Sequence, residues 1–367
     1  LVERHYDSSL AQLSVPGLFT VRKAEFRRGL FTSESQLTLQ AVGSLCNEDG
    51  CPVITANSML FHGPLPFEAY SKLGTELRLV RGIVYTEVDL SPLMADSEFS
   101  PPLSSLISTT VIGLSGDAQN KLKMPAGQHV VTFGDDPGSL TYEDITGHIE
   151  TRSVPGDLAS EHAVVTQAEA SINIPSLVMQ REGHDSINLS DLSFTIDGQP
   201  GAVFVGKMQG MLGRINVDQS AGDKPSIQMQ GLRFTSNVQE REKLLSNDFE
   251  LQFKQVQVDE VEYGPVLVDG ALSRMNRPAL EDLQDDLTAL RAQADLPQEL
   301  VQVLVIGLYQ KHLPRLLSVG PELNLRRMTL STPDGDMDAQ VKLSIAASDD
   351  MPDSIPELLR LSKGYLK

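Results

Sequence analysis

Tryptophan is absent from this chain of 367 residues, and cysteine is reduced to two, Cys46 and Cys51. A small scaffold stapled by several disulfides is thereby excluded, as is a zinc site built from several thiolates. Apolar runs long enough to span a bilayer are missing, and the chain as given opens without a basic and apolar leader. Positive charge is scarce: 30 lysines and arginines face 49 carboxylates, for a formal net charge of -19. Acidity spread along the chain opposes a phosphate backbone or an anionic surface, so nucleic acid is excluded as an expected partner.

Catalytic and metal-binding motifs are missing as well. The seven histidines, at 5, 62, 129, 148, 162, 184 and 312, include no pair at metal-site spacing. The stretch GLSGD at 113–117 is not G-x-S-x-G, and no helical pattern follows it. The acidic DGDMD at 334–338 has Ala339 and Ile345 where a calcium loop needs Gly and Glu, so it reads as a charged hairpin turn. GKMQGMLG at 206–213 lacks G-K-[ST]; its glycines read as places where a strand bends or another backbone comes close. EDLQDD at 281–286 reads as a solvated helix face, or one that docks a basic partner. The sequence therefore predicts no enzyme, no catalytic residue, no cofactor and no metal.

What is present is a repeat. INLSDLSFTIDGQ at 187–199 aligns without a gap on IQMQGLRFTSNVQ at 227–239, matching Leu192 with Leu232, Phe194 with Phe234 and Thr195 with Thr235. Downstream, Leu212, Ile215, Val217 and Asp218 recur as Phe253, Val256, Val258 and Asp259, and a weaker third copy follows at 323–335. Self-similarity of about forty residues in strand-like sequence predicts stacked β-hairpins that bury no apolar face alone. Apolar positions alternate with period two but take an odd step between Leu189 and Leu192 and between Met229 and Leu232, which predicts a bulge or bend. Asp-Gly at 197–198 and at 334–335 predicts two-residue turns. Further strands are expected at 18–24, 34–42, 52–61, 76–90, 128–133, 139–153 and 163–180, wet on one face.

One region is helical. Asn276 is placed to cap a helix carrying Leu280, Leu283, Leu287 and Leu290 on one face. A second helix, apolar almost all round, is expected to be buried and to end at Pro314. The expected fold is mainly β: an elongated, curved antiparallel sheet or roll of hairpin units with one helical hairpin. Its parts are an N-terminal β region at 1–95, repeated hairpins at 96–276, the helical hairpin at 277–319, a β-hairpin at 320–350, and the start of a helix at 351–367.

The stretch CNEDGC reads first as a disulfide between Cys46 and Cys51 at a hairpin tip, ahead of two free thiols and of a metal site, and it points to an oxidising compartment. FRRGLFTSESQLTL at 26–39 and FHGPLPF at 61–67 resemble the amino-terminal signature of the YdgA-like proteins of Gram-negative bacteria, with Arg28, Gly29, Leu30, Phe31, His62, Gly63 and Pro64 carrying the resemblance. That family has a membrane helix before a large periplasmic portion of uncharacterised function. The resemblance implies a periplasmic chain tethered to the inner membrane by a helix absent from this sequence, and no reaction. The signature residues read as structural, His62 ending a strand.

Two functional expectations follow. One is a non-enzymatic envelope scaffold presenting an extended β surface to another envelope protein or, as a homodimer, to itself. The other is a carrier of lipid or another hydrophobic ligand in a groove lined by Phe194, Phe204, Phe234, Phe249 and Phe253. They differ in whether the helical hairpin fills that groove. A hydrolase of the envelope is a distant third.

Overall fold

The computed structural model describes residues 19–41, 51–74, 78–90, 105–133, 136–154, 164–181, 186–218, 225–291, 298–347 and 362–366. It is a mainly antiparallel β structure that divides into two compact units, Leu1–Glu182 and Gly183–Lys367.

In the first unit, β1 (Phe19–Arg27), β2 (Thr32–Ala41), β3 (Val53–His62), β4 (Gly82–Asp89), β5 (Leu106–Ile112) and β6 (Ala118–Met124) pair in chain order. Strand β6 then pairs with β9 (Ile145–Val154) and β9 with the first half of β10 (Val164–Arg181). The second half of β10 takes β8 (Asp136–Tyr142), which pairs with β7 (Gly127–Phe133). The expected strand at 139–153 is thus two strands, and that at 76–90 begins only at Gly82. Helix α1 (Phe67–Leu73) lies over the β3–β4 end, where Phe61, Ala69, Val80 and Ile83 form a buried cluster ringed by Met59, Tyr70, Leu73, Tyr85 and Val111. GLSGD is the β5–β6 turn, closed by Gly113 N–H donating to the Asp117 carbonyl at 2.8 Å.

The second unit contains the repeat. Strands β11 (Ser186–Gln199) and β12 (Val205–Asp218) form one hairpin; β13 (Ile227–Arg241) with β14 (Leu244–Phe253) and β15 (Gln255–Val258) forms the next. The registers are equivalent: Ile187 faces Val217 as Ile227 faces Val258, and Ser193 faces Met211 as Arg233 faces Gln252. At the odd steps the backbone kinks in both copies, with Asp191 at φ 55° and Gly231 at φ 64°. Residues facing these kinks are swapped in size. Gly213 lies against the Asp191 side chain, where an added Cβ would come 2.7 Å from Oδ2, while Gly231 lies against Lys254, with 2.6 Å to Cδ. A side chain on one strand is thus matched by a glycine on its neighbour.

Beyond β14 come β17 (Val266–Asn276), β18 (Glu322–Thr332), β19 (Gly335–Ile345) and β20 (Ser362–Leu366), while β16 (Val261–Tyr263) pairs with β15. The third copy's odd step is a bulge, its register shifting between Leu325 and Met328. Ser362–Leu366, inside the stretch expected to start a helix, is instead a strand, because it finds ladder partners on β19. Both Asp-Gly turns are also displaced. Gly198 faces Gly206 inside the ladder, and 200–204 make the turn; at the other site Thr332 faces Gly335, leaving Pro333-Asp334 as the turn, where proline supplies the φ that the first corner needs.

Helices α2 (Arg277–Arg291) and α3 (Gln298–Leu317) form the expected hairpin. The Asn276 side chain accepts from Ala279 N–H at 3.1 Å, as a cap should. Two details differ from expectation. Helix α3 continues past Pro314 to Leu317, and it is not buried, with Val303 64%, Ile306 58% and Tyr309 50% exposed. The acidic face of α2 is solvated, with Asp282 and Asp285 exposed, and it also pairs with α3: Asp282 with Arg315, and Asp286 with Lys311 and His312. These pairs turn the polar sides of the helices toward each other and leave apolar α3 positions outside.

Candidate functional site

Cross-strand register decides which residues share a face of the second unit's sheet. One row runs Phe194, Gly210, Phe234, Leu251, Val268, Met328, Ala339. The next runs Ile196, Met208, Ser236, Phe249, Gly270, Leu325, Val341. Phe253, two residues from Leu251, joins the same face opposite Val266. Phe204 lies over Gly198, whose added Cβ would come 2.7 Å from the ring Cζ. All five phenylalanines expected to line a groove therefore stand on one face.

Glycines make room for the rings. An added Cβ at Gly210 would meet Phe194 at 3.5 Å and Phe234 at 4.0 Å, and one at Gly270 would meet Phe249 at 2.8 Å. This is what the glycines of GKMQGMLG do: they bare the backbone beneath aromatic side chains. The buried Ser236 in this face satisfies its hydroxyl by donating to Asn247 Oδ1 at 2.7 Å.

The opposite face is polar. Thr195, Gln209, Thr235, Glu250 and Asp269 form one row, and Asp197, Lys207, Asn237 and Asp248 another. The bulge in β18 turns Arg326 onto this face, where its guanidinium donates to both Asp269 oxygens at 2.6 to 3.2 Å and to Asp248 at 2.7 Å. Those hydrogen bonds, Asp269's first, raise the arginine's pKa and leave its charge fully matched. A shallow recess of about 220 Å³ lies beside it, lined also by Lys207, Asn237 and Glu250. The sequence carried no sign of this clamp, since the carboxylates are far from Arg326 along the chain.

In the first unit the signature residues assemble into one cluster. His62 N–H donates to the Phe31 carbonyl at 2.7 Å, His62 Nε2 lies 2.7 Å from Ser33 Oγ, and Gly29 N–H donates to that hydroxyl at 3.3 Å. Gly63 takes φ 95°, and the Pro64 carbonyl accepts from Val80 N–H at 3.1 Å. Burial, then the charge of Arg28, holds the His62 imidazole below its ordinary pKa. Sequence reasoning missed Ser33, which alternation alone marks as one more inward position. A serine beside a histidine suggests a nucleophile, but Ser33 is 1% exposed, out of reach of substrate. Of the two cysteines, Cys46 lies outside the described residues and Cys51 leads into β3.

A recess of the first unit, about 360 Å³, is lined by Glu25, Arg27, Glu34, Gln36, Glu87 and Tyr85 among others. Burial, then Glu87, pushes the Tyr85 phenol pKa up. Among the described residues no group of His, Cys, Asp or Glu is arranged to hold a metal ion.

The family described as bacterial protein of unknown function, DUF945, matches residues 1–364. The chain belongs to the DUF945 family. Comparisons with curated proteins and with solved structures return no match. For this DUF945 chain, function has to be argued from the two faces just described. Among the described residues no helix is long and apolar enough to cross a membrane.

Proposed function

We propose that this DUF945 protein is a non-enzymatic binding protein of the bacterial envelope that holds a lipid or another hydrophobic ligand on the phenylalanine face of its second unit. The observation that carries this reading is the arrangement of Phe194, Phe204, Phe234, Phe249 and Phe253 on one face, with polar residues on the other. The helical hairpin leaves part of its apolar surface uncovered. Its main contact with the sheet is at β17, from which α2 continues directly, and Val303 and Ile306 are exposed. This favours a ligand carrier over a scaffold whose surface is already filled.

The rest of the reading concerns place. A YdgA-like periplasmic location, with an inner-membrane tether outside this sequence, is supported by the signature residues and by Cys51, which is not a free thiol. Pairing of the repeat's strand edges in a homodimer is compatible with a ligand held between copies. Native mass spectrometry of protein extracted from membranes tests the core of the proposal. Co-purifying lipid mass is the expected result; protein at its bare mass after gentle extraction would refute it.

A further inference from the structure

The first unit gathers its turns at one end of the sheet. The β1–β2 loop, residues 63–74 and 78–81, and the β5–β6 turn follow one another there, tied by His62 N–H to the Phe31 carbonyl, Val80 N–H to Pro64 and Arg81 N–H to Ile112 at 2.7 to 3.1 Å. These loops expose Leu30 at 85%, Phe31 at 72%, Phe67 at 66%, Leu79 at 59%, Leu114 at 53% and Leu65 at 39%. Six large apolar side chains at adjacent loop tips, on a backbone held by hydrogen bonds, are more than scattered surface residues.

Cations stand among them. Arg28, Lys72, Arg78 and Arg81 are exposed on these loops, and Arg27 stands at the end of β1 opposite Glu34. The loops carry three carboxylates in sequence, Glu68, Glu76 and Asp117; of these Glu68 is engaged with Lys72 at 2.7 Å, and Asp117 with Ser115 Oγ at 2.7 Å and Ser153 N–H at 2.9 Å. The whole chain carries -19, whereas these loops hold four cations against three carboxylates, so this end lacks the acidic excess of the molecule. Apolar tips interleaved with cations match the boundary between acyl chains and anionic headgroups.

We propose that this loop end of the first unit docks on the surface of an anionic phospholipid bilayer, with Leu30, Phe31 and Phe67 entering the interface and the arginines meeting headgroup phosphates. The site is separate from the phenylalanine face and stands whether or not that face binds lipid. Local charge decides it: the acidity of the rest of the chain is screened beyond about 8 Å at physiological salt, while these cations lie at the contact.

The absence of tryptophan gives a reporter without background. In the full chain, Phe67→Trp emission should shift to the blue with phosphatidylethanolamine–phosphatidylglycerol vesicles and be quenched by brominated acyl chains. Met211→Trp, exposed on the polar face of the second unit, should report no change. Leu30→Asp with Phe31→Asp should lower vesicle co-sedimentation at least about tenfold, and each arginine changed to glutamine should lower it about fivefold at low salt. Thr195→Asp, on the polar face of the second unit, should leave sedimentation unchanged. Circular dichroism of each variant checks that it is folded. An unmoved Phe67→Trp spectrum, equal sedimentation of the Leu30 and Phe31 variant, or an emission shift that follows protein concentration without vesicles would overturn the proposal, the last by assigning the patch to a second copy of the chain.

Discussion

Single residues of the signature cluster make its stability pH-dependent. The His62 pKa lies below its ordinary 6.5 because burial and Arg28 disfavour the imidazolium. The folded state therefore binds that proton more weakly than the unfolded chain does. Its stabilising contribution is present above 6.5 and is lost as pH falls through the folded value. Thermal melting followed between neutral pH and about pH 5 should show Tm falling, and His62→Asn should flatten that slope while costing about 1 kcal/mol at neutral pH. Carboxylates such as Asp286, whose pKa is held below 3.8 first by Lys311 and then by His312, lose their contribution only at lower pH. Gly29 is the second sensitive point. A Cβ there would lie 2.0 Å from the Thr32 carbonyl oxygen, so Gly29→Ala should lower stability by about 1–3 kcal/mol in urea unfolding. The bridge proposed for Cys46 and Cys51 predicts that unreduced, denatured protein takes up no thiol label, and stoichiometric labelling of both would exclude it.

At the scale of the elements, the kinked row ties the two repeat copies together. Asp191 packs against Gly213 in one copy and Gly231 against Lys254 in the other, so side chain and glycine have exchanged places. Gly213→Ala should cost about 1 kcal/mol, and adding Asp191→Gly should recover most of it, a coupling that chemical denaturation of the single and double variants measures. Equal losses that simply add would show that the contact does not matter. The repeat was legible in sequence because its period-two pattern and odd steps are local, and Asn276 was legible because a cap is local too. What was not legible is what depends on a distant partner. Ser362–Leu366 becomes a strand through β19, and β5 and β6 are made by their neighbours, with polar residues at about half of β6's positions. The acidic face of α2 pairs with cations that only the hairpin brings near. The parting of the units at 182–183 has little sequence punctuation beyond Gly183.

At the scale of the molecule, the sequence composition tells less than its distribution. A net charge of -19 argues against anionic partners, yet one loop end concentrates arginines and exposed apolar tips. The five phenylalanines were predicted from the repeat, and their common face follows from the register, whereas the uncovered α3 positions could be read only from the structure. The central claim is that the phenylalanine face holds a hydrophobic ligand. It is tested most directly by titrating delipidated protein with a fluorescent fatty acid, comparing the unaltered chain with Phe194→Asp, a change at a ring already 38% exposed and so tolerable to the fold. The account predicts saturable binding that is lost in the variant while its circular dichroism and Tm are kept. No saturable binding by the unaltered chain, or equal binding by both proteins, would contradict it.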